Sequence, residues 1–162
     1  MKTFRLFAMI TLLAGSLALP AHMAAADAAP KSVLQVRVVA PFVFDAIRED
    51  DIKDTLFFRV RDALETKHRG LEVKQVDGGK ADAKAPVLTL SLVNWRVTHM
   101  GDIECRFAAE YSSADGKRSL GMFEGTTSSL LRSRAFIGTD FERAAEEAGR
   151  RLGEALSKQG LI

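Results

Sequence analysis

Residues 87–97 read Val87-Leu88-Thr89-Leu90-Ser91-Leu92-Val93-Asn94-Trp95-Arg96-Val97, the longest β-like run in the chain. Successive side chains of a strand point to opposite sides of its sheet. Leu88, Leu90 and Leu92 therefore share one face, and Val87, Thr89, Ser91, Val93, Trp95 and Val97 share the other. Both faces are partly apolar, which predicts an interior strand. Met100-Gly101-Asp102 turns the chain into a second run, Ile103 to Tyr111. There Ile103, Cys105, Phe107, Ala109 and Tyr111 alternate with Glu104, Arg106, Ala108 and Glu110. Asp115-Gly116 supplies the positive-φ positions of a tight hairpin, and Ser119 to Leu131 returns as a third run. Three such runs in succession predict an antiparallel meander.

Upstream, Leu34, Val36, Val38 and Ala40 alternate with Val33, Gln35, Arg37 and Val39, a strand ended by Pro41. From Asp50 to about Arg69, Ile52, Leu56, Phe57, Val60, Ala63 and Leu64 recur at three- and four-residue spacing, the mark of one helix face. Lys53, Arg59, Arg61 and Asp62 face away, Asp50 or Asp51 is positioned to cap the helix, and Gly70 stops it. Leu71 to Val76 is a short second strand. Downstream, Thr139-Asp140-Phe141-Glu142 reads as a capping box. The helix behind it runs to about Lys158, with Phe141, Ala145, Ala148, Leu152 and Leu156 on its inner face. Glu146 with Arg150 and Glu147 with Arg151 form i,i+4 pairs on its outer face. The order β-α-β-β-β-β-α predicts an α+β two-layer sandwich: a mixed, mostly antiparallel sheet with two helices on one face, and the other face partly open.

The first thirty residues carry a different signal. Lys2 and Arg5 precede an uncharged, mostly apolar run from Leu6 to Leu19, and an alanine-rich stretch with small residues at Ala24 and Ala26 follows. That is the three-part order of a secretory signal peptide cleaved near Ala26. Fourteen helical residues span about 21 Å, short of the ~30 Å hydrocarbon core, so the mature form is expected to hold no membrane span. The organisation read from the sequence is a leader over 1–26, a short lead-in over 27–32 and one α+β domain over 33–162, located in the periplasm.

The formal charge is +2, but Lys2 and Arg5 lie in the leader, and 21 Lys+Arg face 21 Asp+Glu from Asp27 onward. A neutral domain has no broad electrostatic footprint for a phosphate backbone, so nucleic acid is not expected as a partner. With one cysteine, Cys105, and two histidines beyond the leader, His68 and His99, neither an internal disulfide nor a metal site of ordinary ligand number is expected. No cofactor is expected either: there is no nucleophile elbow, phosphate loop or dinucleotide fingerprint. Cys105 alternates with apolar residues and reads as core. Glu104 and Glu110, six residues or roughly 20 Å apart on one strand face, are too distant for paired acid–base work and read as solvated positions.

The remaining candidates are apolar. If one sheet face is open, Val93, Trp95 and Val97 form a patch for a partner protein or an acyl chain. Phe42 and Phe44, just beyond Pro41, are a second candidate contact.

Val36-Arg37-Val38-Val39-Ala40-Pro41-Phe42, a helix, a short strand, a long strand opened by Ala85-Pro86-Val87-Leu88 and a final alanine-rich helix resemble, in element order over residues 33–158, the α/β domains of small bacterial envelope lipoproteins. The lipopolysaccharide-assembly lipoprotein and the activator lipoprotein of penicillin-binding proteins are of this kind. Leu13-Ala14-Gly15-Ser16 is like their lipobox, but serine stands where the lipidated cysteine belongs. The resemblance implies a non-catalytic accessory of an envelope protein complex, and Ser16 implies one without the lipid anchor. The alternatives are a periplasmic lipid or small-ligand binder, or a small hydrolase or isomerase built on Glu124, Arg132, Arg134 or His99.

Overall fold

The structure, a computed structural model, describes residues 32–40, 46–76, 81–128 and 137–162. Seven elements follow in the expected order: β1 (Ser32–Val39), α1 (Ala46–Lys67), β2 (Leu71–Gln75), β3 (Val87–Val97), β4 (Asp102–Ser113), β5 (Gly116–Ser128) and α2 (Ile137–Lys158). One five-stranded sheet has the order β2-β1-β3-β4-β5. β1 is parallel to both β2 and β3, and β3, β4 and β5 form the antiparallel meander. The fold is the α+β sandwich expected from the sequence. The leader, the lead-in to residue 31, Phe42, Phe44, Arg132 and Arg134 lie outside the described residues.

Alternation decides which face is covered. Leu34, Val36 and Val38 of β1, Leu88, Leu90 and Leu92 of β3, and Ile103, Cys105, Phe107, Ala109 and Tyr111 of β4 are buried on one side. They share a single cluster with Leu56, Phe57, Val60 and Leu64 of α1 and Ala144, Ala145, Ala148, Leu152 and Leu156 of α2. Each buried leucine or valine contributes about 1.5–3 kcal/mol from apolar area removed from water, so both helices are held to the same sheet face. Between them the contact is made through glycine: a Cβ on Gly149 would stand 3.2 Å from the Cα of Val60. Arg59 of α1 is ion-paired to Glu142 of α2. Ser157 donates to the Gly153 carbonyl at 2.7 Å. His68 Nε2 therefore donates to the Ser157 hydroxyl, 3.1 Å away, tying the end of α1 to the end of α2.

β1 divides its length between two neighbours. Ser32 to Val36 pair with β2, and Gln35 to Val39 pair with β3. β2 thus ends level with the start of β3 on the other side of β1, and residues 81–86 are the described part of the connection between them. Gln35 points to the side opposite the helices and catches that connection. Its Nε2 donates to the carbonyls of Asp82 (2.9 Å) and Ala85 (3.2 Å), and its Oε1 accepts from the Asp82 N–H at 2.7 Å. Replacing Gln35 by alanine removes three partners from loop backbone and is expected to lower stability by about 1–2 kcal/mol. Trypsin should then cut at Lys84 in the folded protein; cleavage no faster than in the parent would contradict the pinning role.

The helix starts differ from those the sequence suggests. α1 begins at Ala46, four residues before Asp50, and α2 begins at Ile137, two before the capping box. Asp140 is buried within the first turn of α2 beside Arg143 (3.5 Å), and Glu142 serves the interhelical pair with Arg59. A tertiary ion pair has displaced the local cap reading. Glu147 does pair with Arg151 (3.0 Å), but Arg150 takes Glu147 (2.9 Å) and Glu154 (2.5 Å) in place of Glu146.

Candidate functional site

The face of the sheet opposite the helices is the candidate site, and a β-bulge determines what lies on it. The β3–β4 register runs in step to Leu92↔Phe107 and resumes at Asn94↔Arg106, leaving Val93 unpaired. One extra residue reverses the alternation beyond it. Trp95 then pairs with Cys105 and Val97 with Ile103, so both stand on the helix side. Trp95 stacks on Phe141 of α2 with centroids 5.2 Å apart and planes at 15°, while Val97, at the strand end, stays exposed. Of the expected Val93, Trp95, Val97 patch, the structure leaves only Val93 off the helix side, exposed at the bulge.

Two features make up the helix-free face. The first is a row across four strands, Val39, Ser91, Ala108 and Met122, each paired with the next. Its ends are large apolar residues open to solvent, Val39 at 44% and Met122 at 53%, its centre is small, and Val93 at 49% adjoins it. The second is a charge network one step along the strands. Glu104 accepts from Asn94 Nδ2 (3.2 Å) and from Arg96 Nε and Nη2 (3.3 Å each), and lies 3.4 Å from Arg106 Nε. Arg106 in turn is paired with Glu124 through Nε (2.8 Å) and Nη2, and the Thr126 hydroxyl donates to Glu124 at 3.5 Å.

Glu104 is only 5% exposed, which corrects the expectation of a solvated carboxylate. Alternation placed it on the correct face, but three neighbours from two strands close over it. Burial by itself would raise its pKa. The hydrogen bonds from Asn94 and Arg96 and the charges of Arg106 and Arg96 outweigh burial, and the net shift is downward. Glu104 is thus held ionised, two arginines against two glutamates leave the network neutral, and Glu124 is committed to Arg106. Glu110 on the same face remains exposed and meets Lys117 at 3.3 Å.

Cys105 is fully buried, and its thiol is pushed up to about 12, first by burial and then by the negative charge of Glu104. The thiolate is the reactive form, so a thiol reagent at pH 8 should leave the native protein unmodified and label one equivalent after unfolding. Rapid native-state labelling would refute the buried placement. His99 is exposed in the turn after β3, beyond the charge network. Among the described residues no cluster of three His, Cys, Asp or Glu is arranged to hold a metal, and no helix is long and apolar enough to cross a membrane. A cavity of about 780 Å³ lies between α1 and α2, lined by charged residues including Arg59, Asp62, Arg143 and Glu147. It is on the helix side and shares nothing with the sheet face.

No protein-family model matches the chain, and no curated protein matches it in sequence. Solved structures do match in fold. An uncharacterised protein superposes with a TM-score of 0.59 at 9% identity, over 77% of this chain and 92% of its own. A Xanthomonas campestris protein, from a family of unknown function, gives 0.53 at 10% identity over 81% and 88%. PelC of Paraburkholderia phytofirmans, crystallised as a dodecamer, gives 0.51 at 15% identity over 76% and 90%. At these identities the likeness establishes the fold, one that bacterial proteins of unstated function share.

Proposed function

We propose that this chain is a non-catalytic accessory protein of the bacterial cell envelope. In this reading it is exported through its N-terminal leader, cleaved near Ala26 and released into the periplasm as a single domain, where it holds a protein partner on the helix-free face of its sheet. The observation that carries the reading is that face itself. Two helices stabilise one side of the sheet, while the other presents Val39, Val93 and Met122 to solvent around a small-residue centre. Exposed apolar side chains grouped beside a satisfied polar network are the composition of an interaction surface: an apolar centre with a polar rim. The leader sequence and the fold shared with bacterial proteins support the location. The PelC likeness adds self-association to the uses such a domain serves.

A photo-crosslinking residue placed at Met122 tests this in living cells, with Glu154 on the outer face of α2 as control. A discrete protein adduct from Met122 and none from Glu154 is the expected result. Equal patterns from both positions, or a lipid adduct alone, would refute a protein-binding face.

A further inference from the structure

We infer that the occupant of the helix-free face is a second copy of this chain, related by a two-fold axis lying along the Val39-Ser91-Ala108-Met122 row. The inference rests on the reading of that face as a partner surface and identifies the partner.

The argument is self-complementarity. A two-fold along the row lays β3, β4 and β5 each over its own copy and reverses its direction, so a residue two steps before the row on β4 faces the residue two steps after it. On β4 the row residue Ala108 is flanked by Arg106 and Glu110. The operation therefore sets Arg106 against Glu110 of the second copy, and Glu110 against its Arg106. In the same rows Thr89 faces Asn94 and Ser119 faces Glu124. One row further out, Val87 faces Arg96, Ser112 faces Glu104 and Lys117 faces Thr126. Arg37 faces past the described end of β1. No two like charges oppose one another in these pairs, a condition like-charge repulsion imposes on any isologous interface.

Packing agrees with charge. Sheets stack face to face at about 10 Å, and the side chains on the axis at the centre, Ser91 and Ala108, are small enough to permit that approach. Val39 and Met122 then close over their own copies, which removes the exposed apolar ends of the row from water. β3, β4 and β5, spaced about 4.8 Å apart and overlapping their copies over some eight residues, give an interface of roughly 800 Å² in total, the size of a weak, transient contact. The dimer is accordingly reversed by dilution.

Ala108→Cys provides the test, because residue 108 meets its own copy on the axis and Cys105 is buried beyond reach of the reagent. A short bismaleimide is expected to convert purified Ala108→Cys into a covalent dimer, and to leave Glu154→Cys on α2 monomeric. Light scattering of the unmodified protein should show a mass that falls from dimer to monomer on dilution. Glu110→Lys, which sets a cation against Arg106 of the second copy, should weaken association at least tenfold without altering the circular dichroism spectrum. A monomeric mass at every concentration overturns the inference. So does linkage only in a mixture of Ser91→Cys with Ala108→Cys, which would put the axis along the strands. If Ala108→Cys does not self-link while Met122 captures a different protein in cells, the second copy is excluded and the partner-surface reading stands. If neither position reports a neighbour, both fall.

Discussion

Replacing Gly125 by alanine is expected to lower the melting temperature by about 10 °C or more, the equivalent of roughly 3 kcal/mol in a domain of this size. The reason is a backbone-to-backbone approach. A Cβ at this position would stand 1.9 Å from the carbonyl oxygen of Ala144 and 2.8 Å from the amide nitrogen of Ala148. Neither atom can rotate away as a side chain would, so α2 as a whole must lift from β5. Glycine inside a strand commonly marks such a site, and here Ala144 and Ala148 continue the close contact on the helix side. Gly138→Ala is the control. A Cβ there meets nothing within 4 Å, and the residue lies in the first turn of α2, so stability should be unchanged or rise by up to about 1 kcal/mol. Thermal melts of the two variants decide the matter. Similar values for both would mean that α2 does not rest on Gly125.

Glu104→Gln should lower stability at pH 7 by about 1.5–3 kcal/mol, the range for hydrogen bonds that involve a charged group, and should also change its pH dependence. The sign follows from the direction of the shift. The carboxyl is held below its ordinary value of 4.5 in the folded protein, so the folded state binds its proton less readily than the unfolded chain. The stabilisation is fully present above about pH 4.5 and is lost as the pH falls below that value through the folded pKa. Urea titrations at intervals between pH 7 and pH 3 should show the parent losing this increment while Glu104→Gln keeps a flatter profile. Parallel profiles would show that Glu104 contributes no ionised interaction. The exposed arginines regain water when the carboxylate is lost, which keeps the cost below that of breaking a fully buried pair.

Both predictions concern residues whose type is visible in the chain and whose role is not. Gly125 reads as an ordinary strand glycine until α2 is placed on it, and Glu104 reads as a solvated carboxylate until Asn94 and Arg96 arrive from the neighbouring strand. The same holds for Trp95. Strict alternation assigns it to the face of Val93, and a single unpaired residue sends it to the other side, onto Phe141. Bulges leave little trace in composition, since an extra residue costs the strand one ladder position and no change of residue type. The row formed by Val39, Ser91, Ala108 and Met122 was equally hidden, because it is built from four strands and exists only once their register is set.

Periodicity alone determined the elements, their order and the two-layer arrangement. A period of two or of about 3.6 in apolar residues is a local property, and burying each apolar stripe leaves few ways to assemble it. Register, the bulge at Val93, the glycine contact beneath α2 and the charges gathered around Glu104 were decided by the tertiary structure. Each depends on residues far apart in the chain being brought within a few ångströms, and at that range packing and electrostatics override local preference.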